Sequence, residues 1–146
     1  MNHEAFLKQA VEIAGRNVTE NGGRPFGAVI VCGGEVIATG ANDTKGTHDP
    51  TDHAETVAIR EACRILENEL LSDCIMYASG EPCPMCEGAI RNADMKAVYF
   101  AASKETAEAS HVNPKKKNQS VEFQHVKLET SSTPFDLWID KLESKQ

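Results

Sequence analysis

The sequence predicts a single α/β domain, and three observations carry that expectation. Segments with apolar residues at three- and four-residue steps alternate with short apolar runs of strand length. These segments follow in the order helix, hairpin, helix, strand, helix, strand, and no linker or internal repeat interrupts them. The chain of 146 residues, 40% hydrophobic and 25% charged, suffices for one domain with a buried core.

Residues 3–20 read as a helix. Phe6, Ala10, Ile13 and Ala14 recur on one side, Lys8, Glu12 and Arg16 on the other, and Asn21-Gly22-Gly23 ends it. Pro25-Phe26-Gly27 leads into Ala28-Val29-Ile30-Val31-Cys32, an apolar run expected as a buried strand. Gly33-Gly34 is a two-residue hairpin turn into a return strand over residues 35–40. Residues 42–50 are polar and rich in turn formers and read as a loop. Asp52 is expected to cap a helix whose stripe is Ala54, Val57, Ala58, Ala62, Ile65 and Leu66. Glu55 then falls where a capping-box partner sits, a task that competes with any proton-carrying role.

Residues 74–79 read as a further strand, and Gly80-Glu81-Pro82 turns into a helix over about 84–93, with Pro84 suited to its first turn. Residues 97–101 are expected as a buried strand and 104–110 as a short helix. A loop over 111–117 follows, and its run Lys115-Lys116-Lys117 reads as solvated charge. Residues 121–128 alternate and read as a strand. Pro134 opens a last helix with Phe135, Trp138, Ile139 and Leu142 on one face.

A formal net charge of −7 argues against a broad nucleic-acid-binding surface, because phosphate contacts need clustered Lys and Arg. No apolar run approaches the ~20 residues needed to span a bilayer, and residues 1–20 lack the pattern of a secretory leader. Five cysteines, an odd count, point to free thiols, a reducing compartment and a cytoplasmic location. Cys32, Cys63 and Cys74 are expected as small buried hydrophobes. His3, His48, His111 and His125 have no ligand-spaced partner and are expected as surface or core histidines.

Two short stretches organise the chemistry. His53-Ala54-Glu55 reads H-x-E, and Pro82-Cys83-Pro84-Met85-Cys86 reads P-C-x-x-C. One imidazole and two thiolates suit Zn²⁺. Three protein ligands leave a tetrahedral position open for water, the pattern of a catalytic site, where a structural site closes with a fourth Cys or His. Glu55 is well placed to handle the protons of that water. Both stretches fall at predicted helix starts. Cys83 and Cys86, three apart, face one point, and the positive ends of two helices favour thiolate and hydroxide there. Each motif alone has little specificity; the conjunction, in this order, is the pattern of zinc-dependent nucleobase deaminases.

With these motifs the chain resembles the cytidine/deoxycytidylate deaminase superfamily, and more narrowly the small bacterial guanine deaminases. The resemblance covers most of residues 1–105: Pro25-Phe26-Gly27-Ala28-Val29-Ile30-Val31, Asn42, Asp49-Pro50-Thr51, His53-Ala54-Glu55 and Glu81-Pro82-Cys83-Pro84-Met85-Cys86. It implies a three-layer fold with a mixed five-stranded sheet flanked by helices, and a homodimer, with C-terminal segments possibly exchanged between subunits. It implies zinc on His53, Cys83 and Cys86, Glu55 as proton shuttle, Phe26 and Asn42 as contacts to the substrate ring, and the Ala54 backbone N–H near the reacting edge. Ordinary core packing is an equal reading of Phe26, and a turn position an equal reading of Asn42.

The implied activity is hydrolytic deamination of an aminated nucleobase or nucleoside, with a guanine-like purine favoured. The alternatives are a tRNA adenosine deaminase acting on a flipped-out base and a deaminase of a cytosine, pterin or triazine. A non-catalytic zinc module is a third class, and Glu55 argues against it. The guanine deaminases carry a longer segment after the position of Glu105, with an acidic residue that reads the guanine amino group, and many end on an aromatic residue. This chain has no carboxylate between His111 and Ser120 and ends Ser144-Lys145-Gln146. The expected partner is therefore a small molecule, with nucleic acid and membrane disfavoured.

Overall fold

The structure is a computed structural model, and it describes residues 2–112, 117 and 119–144. They fall into two compact units, Met1–Pro114 and Lys115–Gln146.

The first unit opens with helix α1 (His3–Asn21), which starts where the Asn2 side chain accepts from the Ala5 amide and stops at Gly22 in the left-handed region. Strands β1 (Gly27–Cys32) and β2 (Glu35–Ala41) follow. They are joined by Gly33 and Gly34 with φ of 61° and 81°, the paired positive values that a tight hairpin turn requires. Then come α2 (Thr44–Thr47), α3 (Ala54–Leu66), β3 (Cys74–Gly80), α4 (Pro84–Asn92), β4 (Ala97–Ala102) and α5 (Lys104–Ala109). The sheet order is β2-β1-β3-β4, with β1 antiparallel to both neighbours and β4 parallel to β3.

Period-two alternation splits the core between the two faces of this sheet. Val29, Val31, Ile75 and Tyr77 pack with Ala10 of α1. Ala28, Ile30 and Met76 pack with Ala54, Ala58 and Ala62 of α3 and Ile90 of α4. The result is three layers, with α1 on one side and α3 and α4 on the other. Gly27 pairs with Ala41 and Ala28 with Ala78, so Phe26, Asn42 and Glu81 all leave the sheet at the same end.

Five expectations are corrected. The sheet has four strands among the described residues, not five. The alternating stretch 121–128 is not a strand: it lies in the second unit with both of its alternating sets exposed, Phe123 at 92%, and no partner strand among the described residues completes its backbone pairing. Strand β4 is a half-exposed edge, not a buried strand, because among the described residues only β3 pairs with it. The loop over 42–50 contains the one-turn helix α2. Cys32 and Cys74 are not free: they face each other across β1 and β3 and form a disulfide, with Cys74 buried in the core as expected and Cys32 half-buried against it. Cys63 remains free and half-buried. In the second unit, α6 (Thr133–Glu143) holds the expected apolar face, and Phe135, Trp138, Ile139 and Leu142 are exposed on it. The readings made for Lys115, Lys116 and Gln146 lie outside the described residues.

Candidate functional site

His53 is the N-cap residue of α3 and Cys83 is the N-cap residue of α4, and in neither case does the side chain cap its own helix. Both take extended backbone angles, and each carbonyl starts its helix by accepting from the amide four residues on. The two side chains are thereby released to point away from their helices. Cys86, one turn into α4, is fully buried. The His53 Nδ1 atom lies 3.6 Å from Cys83 Sγ and 3.5 Å from Cys86 Sγ.

These separations test the fit of a metal. Zinc at ~2.3 Å from sulfur and ~2.05 Å from nitrogen, with tetrahedral angles, places an S and an N ligand about 3.6 Å apart. The three donor atoms all lie within 4.8 Å of one another. Burial first, then the neighbouring Glu55 and Cys83, push the Cys86 thiol far above its ordinary range. A divalent ion at the shared point would reverse that balance and hold both sulfurs as thiolates.

Glu55, in the first turn of α3, is buried. Burial raises its carboxyl above the usual carboxylate range, while its own backbone amide and the Cys86 side chain act in the opposite direction. The expected capping box is not formed. The helix begins one residue later than the cap reading requires, and Asp52 instead accepts from Thr47 Oγ1 at 2.7 Å and pairs with Arg60 at 2.9 Å. Glu55 is therefore relieved of the capping task that competed with proton transfer.

These groups border one cavity of about 450 Å³. Phe26, Asn42, His53, Glu55 and Cys83 line it. Ala54 and Cys86 are fully buried and are not part of the wall. Ala54 opens α3, so its amide is among those without an acceptor inside the helix. Asn42 borders the cavity, and its Oδ1 accepts from the Thr44 amide at 3.4 Å as in an Asx turn. Phe26 likewise lines the cavity while packing against the core and standing over Gly80, where a Cβ would lie 3.2 Å from the ring.

Sequence reasoning missed the rest of the wall. Arg24, Glu81, Lys104, Glu108 and His111 line the same cavity. The backbone amide of Lys104 donates to Glu81 Oε1 at 3.1 Å, which ties the start of α5 to the turn before Cys83. His111, expected as a surface or core histidine, is exposed and borders the cavity. Of the five, Glu81 alone stands in a stretch that the sequence singles out, the one leading into Pro82-Cys83, and no local pattern marks the other four.

Comparison with known proteins adds independent findings. Residues 1–102 match the cytidine and deoxycytidylate deaminase zinc-binding region. The chain is 43% identical to the guanine deaminase of Bacillus subtilis over 155 aligned positions, which cover 100% of this chain and 99% of that protein. The crystal structure of that enzyme superposes with a TM-score of 0.85 at 44% identity, covering 96% of this chain and 95% of the other. The tRNA-specific adenosine deaminase of Aquifex aeolicus is 43% identical over 102 residues, 70% of this chain and 67% of that one. A guanine deaminase structure from Nitrosomonas europaea gives a TM-score of 0.70 at 28% identity, over 79% of this chain and 68% of the other.

Proposed function

The chain belongs to the cytidine and deoxycytidylate deaminase family, and from that membership we propose that it catalyses zinc-dependent hydrolytic deamination of an aminated purine, guanine first among candidates. The observation that carries this reading is the meeting of one imidazole and two thiols, at the spacing of a tetrahedral zinc site, beside a buried carboxylate on a cavity wall. His53, Cys83 and Cys86 are the ligands in this reading. Bound there, zinc supplies a water acidic enough to ionise near neutral pH and stabilises negative charge that develops on its oxygen.

Glu55 takes a proton from the attacking water as the oxygen bonds to the amino-bearing ring carbon, and passes it to the ring nitrogen. It then assists proton delivery to the departing amine, so that the carbon–nitrogen bond breaks and ammonia leaves. Overall, amine and water become oxo group and ammonia, with no change of oxidation state. Phe26 and Asn42 hold the ring, and the Ala54 amide stands near the reacting edge. Glu81 and Glu108 supply acceptors for the donor edge of a guanine-like base, a role the sequence had left without a carboxylate.

Ammonia release measured against guanine, adenine, cytosine, their nucleosides, pterins and triazines tests the reading. Turnover of guanine or another aminated purine supports it, and no turnover of any member overturns it. A second reading, deamination of a tRNA adenosine, is favoured by the Aquifex relative and opposed by the net charge of −7. A tRNA titration at two salt concentrations separates the two.

We read all of residues 1–146 as one deaminase domain, because the Bacillus relative aligns with the C-terminal unit as well. We also read the protein as a homodimer. The support is the exposed face of α6, with Trp138 at 58% and Phe135 beside it, an apolar surface of the kind that subunits cover. Among the described residues no helix is long and apolar enough to cross a membrane. A cytoplasmic location rests on Cys63, Cys83 and Cys86, which are unpaired, and the Cys32–Cys74 disulfide stands against it.

A further inference from the structure

We propose that Asn17, a buried residue of α1 outside the cavity, is a positioning residue that sets the substrate-facing wall formed by Arg24, Phe26 and Asn42. This inference rests on the deaminase reading above. Asn17 is 4% exposed. Its Nδ2 donates to the Arg24 carbonyl at 2.8 Å and to the Asn42 carbonyl at 2.9 Å, and its Oδ1 accepts from Asn21 at 3.1 Å. The Phe26 amide donates to the Arg24 carbonyl at 2.9 Å, and the Asn42 amide to the Phe26 carbonyl at 3.2 Å. The four residues thus form a closed ring of hydrogen bonds, three of whose members line the cavity.

A second link runs through side chains. Arg24 Nη1 donates to Thr44 Oγ1 at 2.8 Å, and the Thr44 amide donates to Asn42 Oδ1. The wall is also tied to the metal side, because the Asp43 amide donates to the carbonyl of Asp52, the residue before His53. The two segments that carry the wall, before β1 and after β2, belong to no helix or strand at these positions. A primary amide is the group that can bind both carbonyls from one nitrogen. The surrounding space is fitted to it: a Cβ on Gly23 would lie 2.5 Å from Asn17 Nδ2.

The test compares wild type with Asn17→Ala, Asn17→Asp and Gly23→Ala. Asn17→Asp keeps the shape and removes both donors, and Gly23→Ala displaces the amide while leaving it in the chain. The substrate is the best-turned-over member of the panel. Loss of two buried hydrogen bonds at the wall is expected to raise KM about tenfold or more, with kcat and zinc content close to wild type. Exchange of the Asn42 backbone amide, followed by NMR without substrate, is expected to speed up in each variant. An unchanged KM in folded Asn17→Asp, or a fall in kcat at constant KM, overturns the inference. If Asn17→Ala does not fold, the other two variants decide. If wild type turns over nothing in the panel, the deaminase reading fails by itself, and an Asn42 exchange rate unaltered by Asn17→Asp overturns the positioning role separately.

Discussion

Gly40 of β2 lies directly beneath Ala54 at the start of α3: a Cβ on Gly40 would collide with the Ala54 carbonyl and stand 2.8 Å from the Ala58 nitrogen. The absence of a side chain at Gly40 lets α3 settle against the sheet, and that approach fixes where His53 and Glu55 sit. In Gly40→Ala the added methyl forces α3 outward. The expected cost is about 1–3 kcal/mol, as for other overpacked cores, together with weaker zinc retention as His53 draws away from the two thiols. Denaturant unfolding and a zinc competition titration check both, and no change in either would show that α3 yields without loss.

Glu55→Gln keeps the size and polarity of the side chain but removes its ability to carry a proton. A loss of kcat of at least ~10²-fold is expected, with zinc content unchanged. Steady-state assays paired with elemental analysis separate this from a failure to bind metal. Turnover near the wild-type rate would remove Glu55 from the mechanism.

Elemental analysis is expected to return one zinc per chain. Cys86→Ala and His53→Ala should each lose the metal, since two remaining ligands leave an incomplete site. Chelation should abolish activity, and added zinc should restore it. A metal-free protein that still turns over substrate at the wild-type rate would refute the assignment of the three ligands.

The Cys32–Cys74 disulfide closes a loop across a sequence separation of 42. In the chain-entropy account such a loop contributes about 4 kcal/mol to stability. A reductant is therefore expected to lower the unfolding midpoint of wild type and to leave that of Cys32→Ser nearly unchanged. Alkylation of the denatured, zinc-stripped protein without reductant should label three cysteines, Cys63, Cys83 and Cys86. Labelling of all five without reductant would contradict the pairing.

The sequence by itself determined what short-range spacing encodes. His53 and Glu55, two apart, and Cys83 and Cys86, three apart, are legible because a helix start brings such neighbours to one side with no help from the rest of the fold. The helices other than α2, the Gly33-Gly34 turn and the first three strands are legible for the same reason: their periodicity is local. Tertiary structure alone decided which strands found partners. The stretch 121–128 alternates as well as a strand does, yet joins no ladder among the described residues, whereas the register of β1 on β3 sets Cys32 opposite Cys74. It also decided the cavity wall, since Arg24, Glu81, Lys104, Glu108 and His111 meet only after the sheet has brought the ends of β1, β2 and β3 to one edge. Asn17 shows the same limit from the other side. Nothing near it in sequence marks it, because both carbonyls it holds are placed by packing α1 across the sheet, one of them 25 residues away.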